Sequence, residues 1–164
     1  MAQQGTSARR AVITGASAGI GAALATALAA RGHDLLLVAR RLERLEELHR
    51  SLTAKYKVSV DVLRADLTKS VDLDRVEAAI EADDRLGLVV NNAGFAGYRP
   101  FKDLDPEMAD DLIDLHVRAV TRLSRAAVPG MHTASPASNP CSVALTTSSA
   151  LIEPGSGPPR PATV

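Results

Sequence analysis

The sequence predicts an α/β fold, a doubly wound parallel sheet with helices on both faces. Three observations carry this expectation. Short apolar-rich runs recur at residues 10–14, 34–39, 58–63 and 88–90, and the second of them, Asp-Leu-Leu-Leu-Val-Ala, is the unbroken kind that belongs to a strand covered on both sides. Longer segments with helical spacing of apolar residues separate the runs. Strict alternation of this sort implies right-handed crossovers between parallel strands.

Each element has its own justification. The first run, Ala11-Val12-Ile13, leads into a glycine-rich turn and a helix over 19–31 that Gly32 terminates. That helix is dense in Ala and Gly, so it can lie close against a sheet. After the second strand, Leu42, Leu45, Leu48 and Leu52 share one face of an amphipathic helix, with Arg44, Glu46, Glu47 and Arg50 off it. A helix carrying Leu73, Val76 and Ile80 follows the third strand, with Thr68 or Ser70 as its N-cap. Asp105-Pro106 supplies an N-cap and a first-turn proline for a helix reaching about residue 128, with Met108, Leu112, Leu115 and Ala119 on a common stripe. Residues 142–147 offer a short fifth strand.

Composition divides the chain into a short N-terminal extension (1–8), the alternating region (9–130) and a tail (131–164). The tail holds six of the nine prolines and only two charged residues, Glu153 and Arg160, and reads as Ser/Pro/Thr-rich coil. The expected sheet is therefore incomplete at its C-terminal side. Lys+Arg and Asp+Glu balance at 19 each and aromatic residues make up 2%, which argues against a nucleic-acid or anionic-membrane surface. Cys141 is the only cysteine, so neither an intrachain disulfide nor a cysteine metal cage is available. His33, His49, His116 and His132 form no metal-ligand spacing. Lacking a secretory leader and any membrane-length apolar stretch, the chain is expected to be cytoplasmic.

The residues that carry chemistry sit at strand ends. Thr14-Gly15-Ala16-Ser17-Ala18-Gly19-Ile20-Gly21 joins the first strand to its helix. Gly15 allows a tight exit, Gly19 lets the backbone approach a diphosphate at the positive helix end, and Gly21 permits close packing of helix on sheet. A bland packing turn would also use glycines here. Asp66-Leu67 follows the third strand, and Asn91-Asn92-Ala93-Gly94 follows the fourth. With the spacing Gly-x-x-x-Gly-x-Gly after Thr14, these segments in this order resemble the cofactor half of the short-chain dehydrogenase/reductase family, over roughly residues 9–131.

The resemblance implies a Rossmann-like dinucleotide domain. It places Gly15, Ser17, Gly19, Ile20 and Gly21 at the cofactor, with Asp66 on the adenine amino group beside Leu67. Asn92, Ala93 and Gly94 line the adenosine ribose, and one asparagine ties the central strands together. The second strand ends Val38-Ala39-Arg40-Arg41 with no acid, so NADP(H) is favoured over NAD(H): a guanidinium, best that of Arg40, meets the 2′-phosphate. Alternatively Arg40 and Arg41 merely flank a solvated helix. Ala18 stands where many NADP-preferring members carry a second basic residue.

By the same resemblance the reaction is hydride transfer between NADP(H) and a small carbonyl or alcohol substrate. It needs a serine, a Tyr-x-x-x-Lys pair as proton donor and an asparagine in the long helix. Ser149 (or Ser148) is the candidate serine. From Ser149 the family spacing puts the tyrosine at Ala162 and the lysine past Val164, so the Tyr-x-x-x-Lys pair is expected to be absent from this chain. His116 stands where the asparagine is expected, either as a substitute acid or as an ordinary hydrogen-bonded helix residue. The readings that follow are an oxidoreductase inactive as this chain, a non-catalytic nucleotide-binding module, or a truncated or frame-shifted gene product. A methyltransferase with a similar sheet is weaker, since it favours an acid at the end of the second strand. Family members commonly pair through the helix spanning 106–128, which makes a homo-oligomer an expectation.

Overall fold

The computed structural model describes residues 9–95, 100–132 and 142–145, excluding the side chains of 101, 130–132 and 142–145. Five strands form one parallel sheet: β1 (Arg10–Thr14), β2 (Asp34–Ala39), β3 (Val60–Arg64), β4 (Leu86–Asn91) and β5 (Ser142–Leu145), in the order β3-β2-β1-β4-β5. The helices are α1 (Gly19–Ala29), α2 (Leu42–Tyr56), α3 (Ser70–Glu81), α4 (Pro106–Ile113) and α5 (Val120–His132). This is the doubly wound α/β architecture, with the switch in strand order beside β1, where β2 lies on one side and β4 on the other.

Alternating strand residues feed two cores. Ala11, Ile13, Leu35 and Leu37 face one side and pack with Ala25 and Ala29 of α1 and Leu45 and Leu52 of α2. Val12, Leu36, Val38 and Val89 face the other and meet Leu73, Val76 and Ile80 of α3 and Leu123 and Ala127 of α5. Small residues on the buried face of α1 (Gly21, Ala25, Ala29) bring its axis close to the sheet. Glu77 of α3 is buried, and its carboxylate accepts from Arg122 and from Arg125 of α5. That pairing anchors α3 to α5 through charge where the surrounding contacts are apolar.

Several sequence expectations are refined. The fifth strand covers Ser142–Leu145, with Leu88 opposite Ser142 and Asn91 opposite Leu145, so the segment after residue 130 contributes to the sheet. Thr68 and Ser70 do not cap α3; the N-cap is Lys69, without a side-chain bond. The Thr68 hydroxyl instead donates to Asp66 Oδ1 at 2.9 Å, within the turn ahead of the helix. The single helix expected after Asp105-Pro106 is three consecutive pieces. Asp105 does cap α4, accepting from Glu107 N at 3.0 Å, but between α4 and α5 the chain makes a π-helix over Asp114–Ala119. Among the described residues no helix is long and apolar enough to cross a membrane.

Leu123 is fully buried between α5 and the sheet, whereas Val117 in the π-helix is 57% exposed. Truncating Leu123 to Ala is expected to cost about 2–5 kcal/mol of unfolding free energy, and Val117→Ala less than about 0.5 kcal/mol. Urea denaturation of the two variants measures both.

Candidate functional site

The C-terminal ends of β1 and β4 open onto a cleft, and one side chain sets its shape. Thr14 is buried at the end of β1. Its Oγ1 donates to Val90 O at 3.3 Å and accepts from Asn92 N and Ala93 N, each at 3.0 Å. A hydroxyl has one donor and two acceptor positions, and all three are used to fasten the chain leaving β4 to the end of β1. Asn92 returns the tie: its Nδ2 donates to Thr14 O at 3.0 Å and Gly15 O at 3.4 Å.

This lock explains the glycines. Gly15 has φ +69, and a Cβ there would lie 2.8 Å from both Ala93 Cα and Asn92 Nδ2. Gly21 has ordinary dihedrals, but a Cβ would strike the Gly15 carbonyl oxygen and come within 2.6 Å of Asn92 Nδ2. Gly19 differs: with φ +55 and nothing within 4 Å of a Cβ, it is needed for backbone conformation alone. The turn it makes leaves α1, with Ala18 as N-cap, without a side-chain cap and without an acid in the first turn. Helix N-termini carry N–H groups with no partner inside the helix and a positive partial charge. No side chain caps those of α1.

The cleft, about 440 Å³, is lined by Gly15, Ser17, Gly19, Ile20, Arg40, Arg41, Asp66, Leu67, Asn92, Ala93 and Gly94, which gathers eleven of the sequence-derived site residues around one space. Gly21 lies just behind the wall, under Gly15 and Asn92. Ser149 lies outside the described residues. Asp66 is fixed by its own turn, where Oδ1 accepts from Thr68 N at 3.2 Å. Its backbone N–H donates to Asp72 Oδ2 at 2.8 Å. That bond, the larger cause, and the neighbouring Arg75 and Arg64 hold the Asp72 carboxyl below the usual carboxylate range.

Two features were not legible beforehand. Arg41 Nη2 donates to Ser17 Oγ at 3.2 Å, closing the rim between the first turn and the end of β2. His116 Nε2 lies 2.9 Å from Phe95 O, with the Phe95 and His116 rings tilted at a 6.2 Å centroid separation. A Cβ on Gly94 would come within 2.8 Å of His116 Cε1, so Gly94 makes room for the imidazole. His116 thus takes the hydrogen-bonded helix role, fastening the segment after β4 to the π-helix.

The reading that the chain lacks a Tyr-x-x-x-Lys pair needs one correction. Tyr98 and Lys102 stand at that spacing in Tyr98-Arg99-Pro100-Phe101-Lys102. Along the sequence the pair stands between β4 and α4, and Tyr98 is outside the described residues. Pro100 is non-helical and Lys102 is exposed in a three-residue 3-10 helix, Phe101–Asp103. Among the described residues no group of three His, Cys, Asp or Glu side chains is placed to hold a metal ion.

A family model described as short chain dehydrogenase matches residues 9–156, well past the compositional boundary at 130. The chain is 35% identical over 127 residues to the very-long-chain 3-oxoacyl-CoA reductase of Anas platyrhynchos, covering 74% of this chain and 40% of that protein. Among solved structures it is similar to a short-chain dehydrogenase from Sphingobium yanoikuyae in complex with NADPH, at 45% identity and TM-score 0.73, covering 74% of this chain and 47% of that one. It is also similar to the bulky-bulky ketone specific alcohol dehydrogenase from Comamonas testosteroni, at 40% identity and TM-score 0.73, covering 74% and 49%. The chain therefore spans less than half the length of each of these three proteins.

Two substitutions test the lock. Thr14→Val leaves the Asn92 and Ala93 amides without their acceptor and is expected to cost about 2–4 kcal/mol, read by chemical denaturation. Gly21→Ala forces a methyl group onto a carbonyl and a bonded amide, neither a flexible tip. A loss of about 1–3 kcal/mol is expected, with a lowered midpoint in differential scanning calorimetry.

Proposed function

This chain belongs to the short-chain dehydrogenase family, and from that premise we propose that its cleft binds NADP(H) in preference to NAD(H). The observation that carries the reading is the rim: Arg40 and Arg41 both line the cleft at the end of β2, where NAD selection would require a carboxylate. The start of α1, uncapped by any side chain, suits the diphosphate, and at Gly19, where nothing lies within 4 Å of a Cβ, the backbone is open to close approach. Asp66 is placed for the adenine amino group, with Leu67 beside the ring. Asn92, Ala93 and Gly94 face the adenosine ribose. The Sphingobium yanoikuyae neighbour, solved in complex with NADPH, supports the same choice.

For the whole protein we propose oxidoreductase chemistry on a carbonyl or alcohol substrate. Bound NADPH would supply the hydride. The carbonyl oxygen, gaining the displaced electron pair, then needs a proton from a group beside it. Ser149 is proposed to orient that oxygen. Among the described cleft residues, the titratable side chains are Arg40, Arg41 and Asp66, which the proposal assigns to the adenosine half. That distribution supports the second reading as well, in which this chain binds the nucleotide without turning it over. The unit from 9 to 130 is proposed as the binding module, with the segment after 130 adding the β5 edge. Pairing of two copies along α4 and α5 is part of the proposal.

Titration of the chain with NADPH and NADH, followed by cofactor fluorescence, tests the preference. NADPH is expected to bind at least about tenfold tighter, a difference of about 1.4 kcal/mol. Addition of a carbonyl panel is expected to leave NADPH unoxidised. Tighter NADH binding contradicts the cofactor assignment, and turnover contradicts the binding-only reading.

A further inference from the structure

Beyond the rim, a second cavity of about 420 Å³ lies between the ends of β2 and β3 and the first turns of α3, lined by Arg40, Arg64, Asp66, Asp72 and Arg75. Arg40 and Asp66 are common to this cavity and the main cleft, so the two spaces meet at these residues. The parallel register puts Arg64 directly opposite Ala39, the residue before Arg40. Two arginines therefore stand at the ends of neighbouring strands, one on each side of the same space.

The two carboxylates in this cavity are already engaged. Asp72 Oδ1 takes Arg75 Nη1 at 3.1 Å, and Asp72 Oδ2 takes the Asp66 N–H at 2.8 Å. Asp66 Oδ1 is turned to Thr68. Arg75 is thus the partner of Asp72, while neither Arg40 nor Arg64 forms an ion pair among the described residues. Three guanidiniums against two occupied carboxylates leave an excess positive charge concentrated on Arg40 and Arg64. Guanidinium pairs of this kind favour a dianionic phosphomonoester, whose oxygens accept two charge-assisted bonds from each fork.

We propose that this cavity is a phosphomonoester site in which Arg64 faces Arg40 across the 2′-phosphate of the nucleotide, making Arg64 a determinant of cofactor choice. The inference rests on the NADP(H) reading above and deepens it. It also supplies the second cation that the first turn lacks, since Ala18 carries no charge there. Arg41 is engaged by Ser17 and does not line this cavity, so Arg40 and Arg64 share the phosphate.

The test uses adenosine 2′,5′-bisphosphate and AMP, which differ only in the 2′-phosphate and do not engage the nicotinamide end. Isothermal titration of the full chain is expected to give tighter binding of the bisphosphate. In Arg64→Gln that advantage is expected to fall about fivefold to tenfold with AMP affinity unchanged, and Arg64→Lys is expected to recover part of it. A wild-type advantage that persists undiminished in Arg64→Gln overturns the role of Arg64 and leaves the NADP(H) reading standing. Equal loss for both ligands also overturns it, because the substitution would then act through the fold; thermal melting of the variant reports that case directly. A wild-type chain with no preference for the bisphosphate overturns both readings.

Discussion

The Thr14 hydroxyl is the interaction on which the rest of the site depends. With all three of its hydrogen-bonding positions spent between β1 and β4, it fixes the distance between the two strand ends at the switch point of the sheet. Asn92 can then reach back to the carbonyls of Thr14 and Gly15. That geometry in turn excludes a side chain at Gly15 and Gly21 and aims the start of α1 into the crevice. The remaining wall follows from the same point, because the backbone leaving β4 is held down on its other side by His116.

Electrostatics then divide the cleft. At one end the open helix terminus offers oriented N–H dipoles, and at the other the ends of β2 and β3 present arginines. Both favour anions, but differently: the helix end acts through fixed backbone donors with no side-chain entropy to lose, whereas the arginines must be ordered by the ligand. Arg41 is partly ordered in advance by Ser17, and Arg75 by Asp72. Arg40 and Arg64 form no ion pair among the described residues.

The sheet and its glycine turn were legible because their causes are local. Unbroken apolar runs specify buried strands, and a positive φ at Gly15 or Gly19 leaves a residue-level mark. Asn91-Asn92-Ala93-Gly94 was readable as a motif, though the division of labour within it was not: Asn92 makes the tie to β1, while Asn91 Nδ2 donates to Ser124 Oγ of α5 at 3.2 Å. The π-helix at Asp114–Ala119 left no such mark, since a shift from i→i+4 to i→i+5 bonding needs no special residue. Arg64 was equally invisible. Its relation to Arg40 arises from the register of β3 against β2, and spacing along the chain carries no trace of it. Thr68 misled for a related reason: it stands one residue ahead of the N-cap Lys69, and its hydroxyl bonds Asp66 within the preceding turn.

A crystal structure of the chain with NADPH bound tests the central claim most directly. The account predicts the diphosphate within hydrogen-bonding distance of the backbone amides at the start of α1, with the Thr14–Asn92 bonds intact and the 2′-phosphate beyond the end of β2. A diphosphate seated elsewhere, or a cleft that must break the Thr14–Asn92 tie to admit the nucleotide, would contradict it.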